Sequence, residues 1–181
     1  MTPTSTKSAV RLTAIAAVTL VAACSAPRPE PTPAPAPAPA PTVVAPAPMP
    51  TAPGANWHDN AATPGDWLYR LGTSGESRAT FVTEGGSPLF QMICTVDKRV
   101  VLARIGARAT GDGMRIYTET ATRTVPAEPR DVATLATMSA RDPLLDAMAF
   151  ARGRFAVHVE GTQPLYIPAW PEVGRVIEDC R

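Results

Sequence analysis

Side chains suited to catalysis are few in this sequence. The chain has two histidines, His58 and His158. His58 stands at the start of the predicted domain, while His158 alternates with Val157 and Val159. That alternation predicts an exposed histidine on the polar face of a strand. We therefore expect neither histidine to serve as a catalytic base.

Two loops begin like known catalytic or phosphate-binding motifs and then depart from them. Ser74 lies in Gly-Thr-Ser-Gly-Glu, where Glu76 replaces the last glycine of the G-x-S-x-G nucleophile motif. Residues 106–113 begin like a phosphate loop, but Asp112 and Gly113 stand in place of the required Lys-Ser/Thr pair. The sequence thus predicts no cofactor and no metal centre.

Three arginines, Arg141, Arg152 and Arg154, surround a predicted helix and the strand after it. A guanidinium group presents a planar fork that fits carboxylate or phosphate. Arg152 and Arg154 flank Gly153, where the chain is expected to reverse, so they are candidate ligands for an anionic group. In the alternative, these arginines pair with nearby acids, such as Glu160, Glu178 and Asp179.

Residues 1–23 have the pattern of an export signal. Lys7 and Arg11 precede an uncharged, mostly apolar run over residues 12–23. This run is well short of the roughly 20 residues that a transmembrane helix needs. We therefore expect a secretory signal peptide instead of a permanent membrane span.

The end of this signal, Leu20-Val21-Ala22-Ala23-Cys24, resembles the lipobox of bacterial lipoproteins. The resemblance implies cleavage before Cys24, a diacylglyceryl group on its thiol, and a fatty acid such as palmitate on the new amine. Two or three acyl chains make a lasting membrane anchor. Ser25, where an inner-membrane lipoprotein usually has Asp, implies an outer-membrane lipoprotein that faces the periplasm or the cell surface. In the alternative, an ordinary secretory signal ends by chance at a cysteine.

Residues 24–55 join the lipidated cysteine to the domain through a Pro/Ala-rich linker. Of the 21 prolines, 12 fall between Ser25 and Pro53, whereas all 12 glycines lie at or beyond Gly54. Such a segment favours polyproline II, with a reach of roughly 90 Å at about 3.1 Å per residue. We interpret it as a spacer that holds the domain off the membrane. The alternative is a ligand for a proline-recognition domain.

The charge balance argues against nucleic acid as a partner. The chain carries 17 basic and 16 acidic side chains, and loss of residues 1–23 removes Lys7 and Arg11. The remaining net charge of about −1 gives no basic surface for phosphate backbones.

Cys94 and Cys180 are predicted to form a disulfide. Cys94 lies in a predicted strand, and Cys180 shares the apolar stripe of Val173, Val176 and Ile177 on a terminal helix. Export places both thiols in an oxidising compartment. The bridge would pin the helix to the sheet and contribute roughly 4 to 5 kcal/mol in the chain-entropy model. The alternative, metal ligation, lacks nearby histidines to complete a tetrahedral site.

The patterning of residues 56–181 predicts an α+β domain, mainly an antiparallel β meander or sandwich. The predicted strands cover 66–71, 78–83, 89–96, 99–105, 114–120, 132–139, 155–160 and 165–167. Asp97 and Lys98 form a two-residue hairpin connection. A loop is expected around Pro126 and Pro129.

Two helices are predicted, one near 143–152 and one near 171–180. Asp142 is suited to an N-cap, Pro143 to the first helical position, and Gly153 to the helix end. Asp146 lies one turn after Asp142, so this carboxylate pair is attributed to capping and to the helix dipole.

Three family resemblances bear on function. Residues 142–155 and 168–181 resemble a group of uncharacterised Gram-negative envelope proteins. The succession of strand, glycine turn, strand and final helix is loosely similar to the invasion-associated locus B family of periplasmic β-rich proteins. The chain also resembles lipoprotein inhibitors of metalloproteases in its order of lipobox, linker and β domain, and in the opening of that domain with Gly65-Asp66-Trp67. That family has its disulfide within the first strands, whereas the second cysteine here is Cys180.

The sequence as a whole predicts a lipid-anchored envelope protein without enzymatic activity, serving as a binding or structural domain. Its expected partners are the membrane, through the lipid, and the cell wall or an envelope protein. The alternatives are a lipoprotein protease inhibitor and an envelope hydrolase whose site residues come together only in the folded chain.

Overall fold

The computed structural model describes residues 51–111 and 113–181. The predicted signal peptide, Cys24 and the linker up to residue 50 lie outside the described residues. Within the described ranges, no helix combines the length and the apolar character needed to cross a membrane.

Antiparallel strands in two sheets dominate the described residues, which confirms the predicted α+β class. The strands are β1 (Asp66–Leu71), β2 (Ser77–Val82), β3 (Pro88–Cys94), β4 (Arg99–Ile105), β5 (Gly113–Tyr117), β6 (Thr122–Pro126), β7 (Glu128–Pro129), β8 (Ala133–Ser139), β9 (Arg154–Val159) and β10 (Leu165–Pro168). The larger sheet has the order β1-β2-β3-β4-β8-β7 and the smaller has the order β10-β9-β5-β6. The helices are α1 (Pro143–Ala149) and α2 (Pro171–Asp179), and a 3-10 turn spans Trp57–Asp59.

The predicted hairpin between β3 and β4 is present, but the prediction of a two-residue connection at Asp97 and Lys98 is wrong, because β3 ends at Cys94 and residues 95–98 form the turn. Lys98 N–H donates to the Thr95 carbonyl at 3.0 Å, and Thr95 N–H donates to the Arg99 carbonyl at 2.9 Å. Lys98 adopts a φ of 58°, in the left-handed region that residues other than glycine seldom occupy. The tight turn sets the register in which Cys94 lies opposite Val100.

The predicted loop around Pro126 and Pro129 is wrong, because both prolines end short strands. β6 pairs with β5 and β7 pairs with β8, each at the edge of its sheet. Proline lacks an N–H group and is tolerated at such edges. Val125 is the single buried residue of β6, so the strand has little of the alternation that identifies a strand in a sequence.

α1 begins as predicted but ends before the expected boundary near residue 152. The Asp142 side chain caps the helix by accepting a hydrogen bond from Leu144 N–H at 2.9 Å. The last helical residue is Ala149, and Phe150 is the C-cap. Gly153 has a φ of 85° and provides the reversal into β9.

The two sheets and the two helices share one core. Phe90 of the larger sheet meets Phe155 of the smaller sheet with ring centroids 6.2 Å apart. At the sheet edges, Trp67 Nε1 donates to the Pro168 carbonyl at 2.8 Å. The helices contribute buried apolar side chains from their inner faces, namely Leu144, Leu145, Met148, Val173, Val176 and Ile177.

The predicted disulfide between Cys94 and Cys180 is confirmed. It joins the end of β3 to the C-cap of α2, with the Cα atoms 5.3 Å apart and the two cysteines 86 positions apart in the sequence. The bridge therefore fixes the C-terminal helix to the larger sheet.

Candidate functional site

A surface groove of about 610 Å³ lies between α1 and α2, and we call it the helix groove. Small residues from both sides, Ala149, Ala169 and Gly174, contribute to its lining. A Cβ added at Gly174 would meet no atom within 4 Å, so the groove is open at that point. The helix groove is thus wide enough to admit a side chain from another molecule.

Two exposed aromatic residues, Phe150 and Trp170, line the helix groove. Phe150 is 82% exposed and Trp170 is 43% exposed. Phe150 follows the last turn of α1 and Trp170 precedes the first turn of α2, so neither lies on the buried face of its helix. Exposed aromatic groups that line one cleft are typical of protein interaction sites.

Polar contacts hold the walls of the helix groove in place. Arg181 Nη2 contacts Asp146 Oδ1 at 2.8 Å, and Arg181 Nε donates to the Ala140 carbonyl at 2.9 Å. These contacts tie the C-terminus to α1. Together with the disulfide at Cys180, they make the groove a preformed surface.

A third tie connects α2 to β1. The Tyr69 hydroxyl donates to Asp179 Oδ2 at 2.6 Å, and the Arg175 guanidinium lies 4.0 Å from the Tyr69 ring centroid. The hydrogen bond to Asp179 raises the pKa of Tyr69 above its ordinary value, and burial adds to the effect. Arg175 remains exposed while it stacks on the ring, so its charge is accessible at the groove.

Neither of the arginines predicted to bind an anion lines the helix groove, although the chain between them contacts Ala169, which does. Arg152 is exposed and follows Phe150 by two positions, and the Gly153 carbonyl accepts a hydrogen bond from Ala169 N–H at 3.1 Å. Arg154 Nη1 donates to the Asn60 carbonyl. The alternative pairing with Glu160, Glu178 or Asp179 is not found in the described part of the chain. Anion binding by Arg152 and Arg154 stays a prediction.

The expectation that His158 is exposed is wrong, since its exposure is 8%. Both faces of β9 are covered. The inner face carries Val157 and Val159 in the core, while residues 51–63 pass over the outer face. Trp57 packs there on Ala156 and Tyr117. Alternation within β9 could not reveal this cover, because it comes from a segment about 100 positions away.

Sequence patterns gave no indication of the helix groove. Phe150 and Trp170 each flank a helix end, where helical spacing no longer assigns a face. The one available signal was the presence of two large aromatic residues outside the apolar stripes. In residues 51–111 and 113–181, no cluster of three or more His, Cys, Asp or Glu side chains has an arrangement suited to a metal ion.

No protein-family model, curated protein or solved structure matches this chain.

Proposed function

We propose that this chain is a lipid-anchored envelope protein whose folded domain binds another envelope protein through the helix groove, without catalysing a reaction. The observation that carries the proposal is the exposure of Phe150 and Trp170 beside a groove of about 610 Å³. Burial of such side chains contributes about 1.5 to 3 kcal/mol each. A partner that covers both would therefore gain a substantial part of its binding free energy there.

The charges near the helix groove favour a partner segment with an apolar anchor and acidic neighbours. Arg181 is paired with Asp146, so these two charges largely cancel. Arg152 and Arg175 are exposed and have no carboxylate partner among the described residues, whereas Glu178 is the remaining acid of the lining. The lining itself has two acids and two arginines, so the positive charge that an acidic segment would complement comes from exposed Arg175 and from Arg152, two positions after Phe150.

The anchor in this proposal is Cys24, on the strength of the lipobox resemblance. Globomycin, which blocks lipoprotein signal cleavage, should cause the uncleaved form to accumulate. Cys24→Ser should abolish labelling by a fatty acid. Persistent labelling of the Cys24→Ser protein would contradict lipidation at this residue.

Affinity capture from envelope extract tests the groove itself. The double variant Phe150→Ala/Trp170→Ala should lose at least tenfold in capture of a specific envelope protein, about 1.4 kcal/mol or more. Leu71→Ala is the matched control, because Leu71 is an apolar side chain of β1 that is 65% exposed and lies outside the helix groove. Melting curves of each variant establish that loss of capture is not loss of folding.

The identity of the captured protein distinguishes the groove proposal from the inhibitor alternative. Cross-links from the groove should map to a partner segment with an apolar residue and acidic neighbours. Capture that is equal in the groove variant and in wild type would overturn the proposal. Stoichiometric inhibition of a captured metalloprotease would instead support the inhibitor alternative.

A further inference from the structure

A second cavity, of about 360 Å³, lies on the outer face of the smaller sheet, and we call it the sheet pocket. Its lining residues are Ala52, Gly113, Arg115, Thr124, His158 and Glu160. It is separate from the helix groove and shares no lining residue with it. The volume falls within the range of pockets that hold small molecules.

The strand register places three polar side chains in a row across the floor of the sheet pocket. Arg115 of β5 lies directly opposite His158 of β9 on one side and Thr124 of β6 on the other. Gly113, two positions before Arg115, has no side chain to fill the space above the sheet. A Cβ added there would collide with the Thr124 methyl group. The cavity therefore depends on the absence of a side chain at position 113.

The floor of the sheet pocket has hydrogen-bonding capacity that the protein leaves unused. His158 Nε2 is buried and has no hydrogen-bond partner among the described residues, although the residue is only 8% exposed. Arg115 Nε donates to Thr124 Oγ1 at 3.0 Å, which leaves the terminal guanidinium nitrogens and the Thr124 hydroxyl proton available. A buried polar atom without a partner is unfavourable, and a hydrogen bond to a bound molecule would remove that cost.

The pocket carries both signs of charge. The Arg115 guanidinium lies on the floor. The Glu160 carboxylate belongs to the residue directly after β9, two positions after His158. Burial lowers the pKa of His158 below its ordinary value, Arg115 lowers it further, and Glu160 opposes the effect. The imidazole is therefore neutral near pH 7, where Nε2 can donate or accept according to its tautomer.

We propose that the sheet pocket binds a small zwitterion of the amino-acid class, with its carboxylate on Arg115 and Thr124 and its ammonium group on Glu160. His158 Nε2 is closed to water in this structure, and a small rotation of the ring would let it complete the hydrogen bonds of one of these two groups. A simple anion would satisfy Arg115 but would meet the negative charge of Glu160. Among the described residues of the lining, a divalent cation would find one imidazole and one carboxylate, those of His158 and Glu160, and Arg115 would repel it. A zwitterion uses all four polar side chains.

Imidazole NMR signals of the purified full-length protein provide the test, because the chain has only two histidines. The probes are L-alanine and D-alanine, with propionate, ethylamine and inorganic phosphate for comparison. One or both alanine enantiomers should shift the His158 signal in a saturable way and leave the His58 signal unchanged. Propionate and ethylamine, which each lack one charged group, should bind at least about tenfold more weakly.

Variants assign the two charged groups separately. Glu160→Gln should weaken alanine by about tenfold and bring it close to propionate, while Arg115→Gln should weaken both ligands. Arg78→Gln is the matched control, since Arg78 is an exposed arginine on β2 of the larger sheet. Glu160 is exposed, so Glu160→Gln should fold like wild type. The test therefore stays decisive even where Arg115→Gln does not fold.

Four results would overturn the inference. In the first, propionate or ethylamine binds as tightly as alanine; in the second, phosphate binds more tightly than alanine. In the third, Glu160→Gln leaves alanine binding unchanged. In the fourth, no probe shifts the His158 signal at millimolar concentrations.

Discussion

The hydroxyl of Tyr69 donates to the carboxylate of Asp179 at 2.6 Å, which joins the first strand to the last helix across 110 positions of sequence. The same ring supports the Arg175 guanidinium at 4.0 Å. Since α2 forms one wall of the helix groove, this relationship links the edge of the larger sheet to the surface that we propose for binding.

Tyr69→Phe should lower the free energy of unfolding by about 1 kcal/mol, because it removes a charge-assisted hydrogen bond that is partly screened by solvent. Urea denaturation measures the change. Asp179→Asn and the double variant complete a cycle, and the two single losses should not add. Additive losses would mean that the hydrogen bond makes no contribution.

Cys94→Ser/Cys180→Ser should lower the free energy of unfolding by about 2 to 5 kcal/mol, because the closed loop spans 86 positions. Reductant should bring the wild-type denaturation midpoint to that of the variant and leave the variant unchanged. Non-reducing peptide mapping should recover one linked pair. Two free, alkylatable thiols in the protein isolated from its native cells would contradict the bridge.

Asp142→Ala should destabilise the domain by about 1 kcal/mol near neutral pH, because the N-cap of α1 is lost. Burial alone would raise the pKa of Asp142, but hydrogen bonds from Arg123 and Leu144 N–H outweigh it and lower the pKa below 3.8. The stability contribution of a carboxyl with a lowered pKa is present above its unfolded value and is lost as pH falls through the folded value.

The difference between wild type and Asp142→Ala should therefore shrink as the pH falls below 3.8. Arg123→Gln is the control that removes the ion pair and keeps the cap. Arg123→Gln should have a smaller effect than Asp142→Ala at neutral pH. A difference between wild type and Asp142→Ala that is constant from neutral to acid pH would contradict the assignment.

His158 should make the domain less stable as the pH falls. Its folded pKa lies below the ordinary value of 6.5 because of burial, with Arg115 acting in the same direction and Glu160 against it. The unfolded chain thus binds a proton at His158 more readily than the folded chain does. The free energy of unfolding therefore increases with pH up to about 6.5, and the loss of stability on acidification is complete below the folded pKa.

His158→Gln should flatten this pH dependence of the melting temperature below pH 6.5. His58→Gln removes an exposed imidazole and should retain the wild-type dependence, since the side chain of His58 is 56% exposed. An unchanged slope in His158→Gln would show that another group causes the acid sensitivity.

Features with a local physical cause could be predicted from the sequence. Asp142 before Pro143 gave the start of α1, because the cap and the first turn depend on adjacent residues. Cys94 and Cys180 could be paired because strand and helix periodicity placed both on apolar faces. The compartment expected from the export signal then favoured oxidation.

Features created by distant segments could not be predicted. His158 is buried because residues 51–63 cover the outer face of β9, a contact that alternation within β9 does not encode. β6 is an edge strand with Val125 as its single buried residue, so its pattern is weak. The helix groove depends on how α1 and α2 approach each other, and neither Phe150 nor Trp170 belongs to a periodic face.

The proposed binding surface is tested most directly by photo-crosslinking in intact cells. A photoreactive amino acid is placed at position 170, in the helix groove, or at position 71, on an exposed apolar site outside it. We predict one specific cross-linked envelope protein from position 170, little or none from position 71, and loss of the product with Phe150→Ala. The cross-linked segment should carry an apolar residue with acidic neighbours. Equal products from both positions, or no product from position 170, would contradict the account.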